Sequence, residues 1–186
     1  MIGYAMCGSF CTVQKSLEQL ELLISHGHSV LPIMSAMLYD TDTRFGKCED
    51  IRKKVRELCG REIIHTIPEA EPLGPSVHLD AVIIAPCTGN TLAKLAHGIT
   101  DTAVCMATKA HLRNDRPVVI ALATNDALSS GLSNIAMMMN RKNIYFVPLS
   151  QDAPTEKPHS LVCDFNLLEE TLNSAMDGKR LNRILK

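Results

Sequence analysis

The chain opens on five apolar or small residues, Ile2 to Met6, and then breaks into Cys7-Gly8-Ser9-Phe10-Cys11-Thr12. Val13, Leu17, Leu20 and Ile24 follow at helical spacing, which predicts a strand, a glycine-containing turn and a helix. His26-Gly27-His28 closes that helix with a glycine suited to a left-handed terminal position, and Val30 to Met34 reads as the next strand. A second helix is predicted from about Phe45 to Leu58, with Cys48, Ile51, Val55 and Leu58 on one face and Gly60 as its stop. The charge run Arg52, Lys53, Lys54, Arg56 and Glu57 then forms its solvated face. Residues 66 to 78 carry Pro68, Pro72, Gly74 and Pro75, too many breakers for a helix or a central strand, and are predicted to be loop.

Asp80 to Ala85 is a nearly continuous apolar strand of the kind buried on both faces of a parallel sheet, terminated by Pro86. Helices are predicted at Thr91 to His97 and at about Thr102 to Leu112. Val118 to Ala123 reads as another buried strand, and Leu132, Ile135, Ala136 and Met139 mark one face of the helix after it. Ile144 to Val147 is the last short strand. A polar, proline-bearing loop, Ser150 to Ser160, leads to a closing helix with Phe165, Leu168, Leu172 and Ala175 inward. Strands alternating with helices at this spacing predict one Rossmann-like (flavodoxin-like) three-layer α/β/α sandwich with a parallel sheet of about six strands. The single domain spans residues 1–186, with an α/β core over 1–150 and a separate loop and terminal helix over 151–186.

Composition narrows the function. With 186 residues, 46% of them hydrophobic, the chain can bury one real core, and two full domains would be crowded. Nineteen Lys plus Arg against twenty Asp plus Glu leave a net charge of -1, so nothing draws it in bulk to nucleic acid or an anionic membrane. Four Phe, three Tyr and no Trp also argue against a stacking platform for single strands. No apolar run approaches the roughly 20 residues of a spanning helix and no basic leader precedes one, which predicts a cytoplasmic protein. Seven cysteines, an odd number without a C-x-x-C pair, read as reduced thiols. Cys7 and Cys11 have no matching second pair, so no metal site is expected.

In such sheets ligands bind outside the carboxyl ends of the strands, where four polar clusters of this sequence fall. They are Gly8-Ser9-Phe10, Ser35-Ala36, Ala85-Pro86-Cys87-Thr88-Gly89-Asn90-Thr91 and Ala123-Thr124-Asn125-Asp126. Gly8 and Ser9, where the first strand hands over to a helix, suit an anion such as a phosphate, and Ser35 could add a hydroxyl. Either serine could instead simply cap a helix. The dinucleotide signature G-x-G-x-x-G is missing, and one phosphate held by Gly8, Ser9 and Ser35 points to flavin mononucleotide (FMN) rather than a dinucleotide.

The third cluster, continued by Leu92-Ala93-Lys94-Leu95-Ala96-His97-Gly98-Ile99-Thr100-Asp101, resembles the hallmark segment of the FMN-binding cysteine decarboxylase family, and also that of the flavin prenyltransferases. Gly8-Ser9-Phe10, Ser35-Ala36 and Asn125 fall in the order that family shows, over roughly the first 150 residues. Within this flavoprotein superfamily the chain resembles the B-subunit family of dipicolinate synthase from spore-forming bacteria. That likeness is carried by Met6 to Thr12, by Ile67 to Pro75, and by Val147 to Leu161.

The resemblance implies a site for FMN formed by Gly8, Ser9, Phe10, Ser35, Pro86, Cys87, Thr88, Asn90, Thr91 and Asn125. It implies oxidation of dihydrodipicolinate to dipicolinate in the mother cell during sporulation, with an A subunit that binds NAD(P), and a homo-oligomer, trimer or higher. Lys15, Arg44, Lys94, Lys109 and Lys157 are candidate clamps for the two carboxylates, Lys157 first because it lies in the distinctive loop. Each could also be an ordinary surface charge. No catalytic residue is assigned. The decarboxylases carry a histidine where Pro72 stands here, and His78 reads as a strand-edge residue, so decarboxylation of a peptidyl cysteine is disfavoured. A decarboxylase, a flavin prenyltransferase and a non-catalytic scaffold subunit remain the alternatives. Cys87 reads as a small apolar filler, His97 as a capping or buried structural residue, and Asp101 as a cap or ion-pair partner.

Overall fold

In the computed structural model, which describes residues 1–181 and 183–185, the apolar runs form β1 (Ile2–Met6), β2 (Val30–Met34), β3 (Ala81–Cys87), β4 (Val118–Thr124) and β5 (Ile144–Phe146). They pair in parallel in the order β2-β1-β3-β4-β5. Every residue of β1 and β3 is buried, as a strand covered on both faces requires. Ile2 stands opposite both Val30 and Ala81, and Val82 opposite Val118, so the strands finish near one level along a common edge.

The helices are α1 (Val13–Ser25), α2 (Ala36–Asp40), α3 (Cys48–Cys59), α4 (Ile67–Ala70), α5 (Gly89–Ala96), α6 (Ala103–Leu112), α7 (Leu132–Met139) and α8 (Leu168–Met176). One layer holds α1 and α8, with α3 beside α1 at the β2 edge, and the other holds α4 to α7. Ser16 links layer to sheet: its hydroxyl reaches the Ala85 carbonyl, and the buried Tyr4 hydroxyl donates to the Ser16 carbonyl at 2.9 Å. None of the described helices is long and apolar enough to cross a membrane.

The structure departs from the sequence reading in definable places. β3 does not stop at Pro86 but continues to Cys87 through a cis Ala85-Pro86 peptide, with a register irregularity between Ile84 and Cys87. The 66–78 segment contains α4, because Thr66 and Glu69 form a capping box and Pro68 falls in the first turn, where a missing N–H costs nothing. The proposed loop after Val147 is bracketed by two further strands, β6 (Leu149–Ser150) and β7 (Leu161–Cys163). β7 runs antiparallel to both β6 and the exit of β4, so the sheet has seven strands and is mixed rather than wholly parallel. Two- and three-residue strands are too short to show a period.

On α7 the buried residues are Ile135 and Met138, whereas Leu132 is 50% exposed and Met139 only half-buried. Phe45 precedes α3 and lies in an exposed loop. Arg52 and Arg56 are not simply solvated: Arg52 lies over the Tyr39 ring at 4.6 Å, and Arg56 pairs with Glu62 at 3.0 Å and reaches the Tyr39 hydroxyl.

Gly74 is a point of close approach. Its φ is +139°, and a Cβ there would stand 2.6 Å from the backbone carbonyl oxygen of Ala110 on α6. Gly74→Ala is expected to destabilise the fold by about 2–4 kcal/mol, the sum of backbone strain and steric displacement. Denaturant unfolding measures it, and a midpoint equal to that of the parent would show that α6 yields freely.

Candidate functional site

The exits of β1, β2 and β3 are held together by their own backbones. The Ser35 N–H donates to the Met6 carbonyl at 3.0 Å, and the Cys7 N–H to the Pro86 carbonyl at 3.1 Å. Side chains reinforce the second link: the Thr88 hydroxyl donates to Thr91 Oγ1 at 3.0 Å, and the Thr91 hydroxyl to Cys7 Sγ at 3.3 Å. Two glycines let the loops approach. A Cβ on Gly8 would lie 3.0 Å from Met37 Cγ, and one on Gly89 would lie 2.6 Å from Thr124 Oγ1.

The result is a cleft of about 660 Å³ over the exits of β1, β3 and β4, walled on one side by Arg44 and Phe45 and on another by Asp152 and Lys157. Sheets of this strand order open their ligand crevice between the first and third strands, which is where this one lies.

Of the residues singled out from sequence, Gly8, Ser9, Phe10, Thr88, Asn90, Asn125 and Lys157 line the cleft. Ser35, Pro86, Cys87 and Thr91 do not. Ser35 is buried and its hydroxyl caps α2, accepting from the Leu38 N–H at 3.4 Å. Pro86 and Cys87 are interior residues of β3, and Thr91 is buried beneath the turn that Thr88 caps. The Thr12 hydroxyl lies 2.9 Å from the Ser9 carbonyl, which accepts from it, and 3.1 Å from Ser9 Oγ, so Thr12 braces the turn that carries Ser9.

Three of the five candidate cations, Lys15, Arg44 and Lys157, converge here. Lys94 instead pairs with Asp101 at 2.9 Å, and Lys109 lies in a separate groove bordered by Arg113 and Arg141. His97 caps the end of α5 and is exposed, not buried. His78 is exposed ahead of β3, and neither it nor Pro72 lines the cleft.

The sequence reading missed Phe45 and Asp152. Phe45 is 54% exposed with the Arg44 guanidinium 4.8 Å from its ring centre, and the signal for it was hidden by assigning it to a helix. Asp152 accepts from Lys157 Nζ at 3.1 Å. The hydrogen bond from Ser160 holds the Asp152 carboxyl below the usual aspartate range, with Lys157 adding to the effect. A depressed carboxylate of this kind keeps its pairing energy above the ordinary aspartate range and loses it only as pH falls through the lowered value. The tether on Lys157 is therefore present at neutral pH.

The chain belongs to the flavoprotein family, whose model matches residues 2–167. It is 44% identical over 184 residues, 99% of this chain and 92% of the relative, to the B subunit of dipicolinate synthase from Bacillus subtilis (strain 168). A crystal structure of the dipicolinate synthase B subunit from Bacillus halodurans C superposes with a TM-score of 0.91 at 40% identity, covering 100% of this chain and 95% of that one. These two relatives place the chain among the B subunits of dipicolinate synthase. The fold is shared more widely: the FMN-dependent cysteine decarboxylase SpaF gives a TM-score of 0.67 at 20% identity, over 94% of this chain and 95% of that one.

Burial pushes the Cys7 thiol up to about 12 and Cys87 well above its ordinary value, so neither is a nucleophile at neutral pH. Cys11 is exposed on the cleft wall. Treatment of the native protein with a thiol reagent, read by peptide mass spectrometry, is expected to label Cys11 while Cys7 and Cys87 react only after unfolding. Rapid native labelling of Cys87 would contradict the buried placement.

Proposed function

We propose that this chain is the flavoprotein component of dipicolinate synthase, holding FMN and a dihydropyridine dicarboxylate in one cleft while dihydrodipicolinate is oxidised to dipicolinate. The observation that carries this reading is the meeting of strand-end donors with three cations at a single place. An anion enters such a cleft only where cations or hydrogen-bond donors replace its water. The donor set fits FMN: Ser9, the adjoining helix start and Lys15 suit a phosphate, and Asn90 and Asn125 suit the polar edge of the ring system. The exposed Phe45 ring offers a flat face beside them. When bound, FMN supplies a hydride acceptor.

The remaining work falls to this chain's side chains. Arg44 takes one substrate carboxylate through its planar fork, and Lys157 takes the other as a compact charge. Oxidation of the dihydropyridine to the pyridine removes a hydride, whose final acceptor is the oxidised NAD(P) of the A subunit, and a proton, which is released to water. Fixing both carboxylates presents the reacting carbon in one orientation, so the residues lower the entropic part of the barrier. The active unit is a homo-oligomer, trimer or higher, acting with an A subunit that binds NAD(P), in the cytoplasm of the sporulating mother cell.

The test is to purify the chain with and without the A subunit and follow NAD(P)H formation from dihydrodipicolinate. Turnover is expected only with both present, and activity of the isolated chain would overturn the division of labour. FMN titration of the isolated chain, with protection of Cys11 from thiol reagents as a second readout, checks the flavin site. No binding at high micromolar FMN would leave a scaffold subunit.

A further inference from the structure

The ten residues between β6 and β7 form a strap that supplies Asp152 and Lys157 to one wall of the cleft, and its bonds converge on Lys157. The strap is anchored where the His159 carbonyl accepts from the Leu128 N–H at 2.9 Å, and is braced internally by Gln151 Nε2 donating to the Pro158 carbonyl at 2.8 Å. Ala153 sits at φ +47°, a left-handed conformation that costs a residue with a Cβ, and its carbonyl accepts from the Lys157 N–H at 2.7 Å. The backbone of Lys157 is thus pinned. Its ammonium group is held by Asp152, and Asp152 is in turn held by Ser160, which is fully buried. The Ser160 hydroxyl faces three acceptors: Asp152 Oδ1, which is nearest, the Thr124 carbonyl at 3.3 Å and Asn125 Oδ1 at 3.5 Å. It has one hydrogen, and the nearest and only charged acceptor of the three is Asp152.

We propose that Ser160 is a positioning residue which, through Asp152, fixes the Lys157 ammonium on the cleft wall and thereby sets the preference of the site for a second carboxylate. A free lysine side chain carries large rotamer entropy, which binding a carboxylate would otherwise have to freeze. An aspartate locked by a buried hydroxyl removes much of that cost in advance. Lysine has three N–H donors, so Asp152 and a substrate carboxylate can share it. The inference rests on the reading of Lys157 as a carboxylate clamp.

The experiment is calorimetric titration of the full-length chain with dipicolinate, with picolinate, which has one carboxylate, and with FMN. Lys157→Met and Ser160→Ala are each expected to weaken dipicolinate about tenfold, in line with loss of one charge-assisted hydrogen bond. Picolinate and FMN affinities should stay within about twofold, since Arg44 and the strand-end donors are untouched. The double variant should bind dipicolinate no worse than Lys157→Met alone, the signature of a residue that acts through another. A role in folding alone would lower the melting temperature and leave the preference for dipicolinate over picolinate unchanged.

If Lys157→Met weakens dipicolinate and Ser160→Ala does not, or if the two losses add, the role given to Ser160 is overturned while the clamp stands. Unchanged affinity in Lys157→Met overturns the clamp and this inference with it. Should Ser160→Ala fail to fold, Asp152→Glu carries the same test on the strap itself: it keeps the charge, moves it by one methylene, and is expected to cost dipicolinate affinity and spare FMN. Unaltered dipicolinate binding in that variant overturns the inference.

Discussion

A strand covered by helices on both faces has nowhere along its length to carry polar side chains, because each would have to be buried with a partner. β1 and β3 meet this constraint with every residue buried. The chemistry is therefore displaced to the points where the strands end, and the parallel pairing brings those points to one edge. The cleft follows from the sheet, and its contents follow from which residues happen to come just after each strand. The exits are bound to one another before they bind anything else, by the Ser35 to Met6 and Cys7 to Pro86 backbone bonds and by the Thr88, Thr91 and Cys7 chain. A floor built this way moves little when a ligand arrives, and polar groups on it keep their directions.

The second wall obeys a different logic. β7 docks antiparallel on the exit half of β4, at Ala123 and Thr124, while β5 takes the entry half of the same edge. That division of one edge between two strands lets the loop between β6 and β7 reach the cleft without disturbing the parallel core. The core brings Ser9, Thr88, Asn90 and Asn125 to the cleft, and the strap brings Asp152 and Lys157. A change confined to that hairpin would alter this wall of the cleft and leave the parallel core in place.

Much of the framework was legible because its signals are local. Alternating apolar runs and helical spacings located the five parallel strands and the longer helices, and the polar breaks after them located Gly8, Ser9, Thr88, Asn90 and Asn125. Capping chemistry is local too, and the Thr66 and Glu69 pair is a helix-start signal for α4 that the neighbouring prolines mask. Hydrophobic periodicity was less dependable on α7, where Met138 rather than Met139 is buried, because eight residues make too short a stretch to fix the face.

What the sequence by itself determined is the alternation of strand and helix, and with it the placement of donors at strand ends, since both depend on residues within a few positions of one another. Only the tertiary structure decided which of those residues share a cleft. Ser35 and Thr91 have the same hydroxyl as Ser9 and Thr88, yet they turn inward to cap α2 and to reach Cys7. Lys15, Arg44 and Lys157 are far apart in the chain and meet only because strand order and a two-residue strand bring the start of α1 and two loops together. Asp152 acquires its depressed carboxyl from Ser160, eight residues on, and that contact exists only because β7 folds back on β4. Composition and periodicity do not encode such proximity, because it is settled by how the whole sheet satisfies its edge.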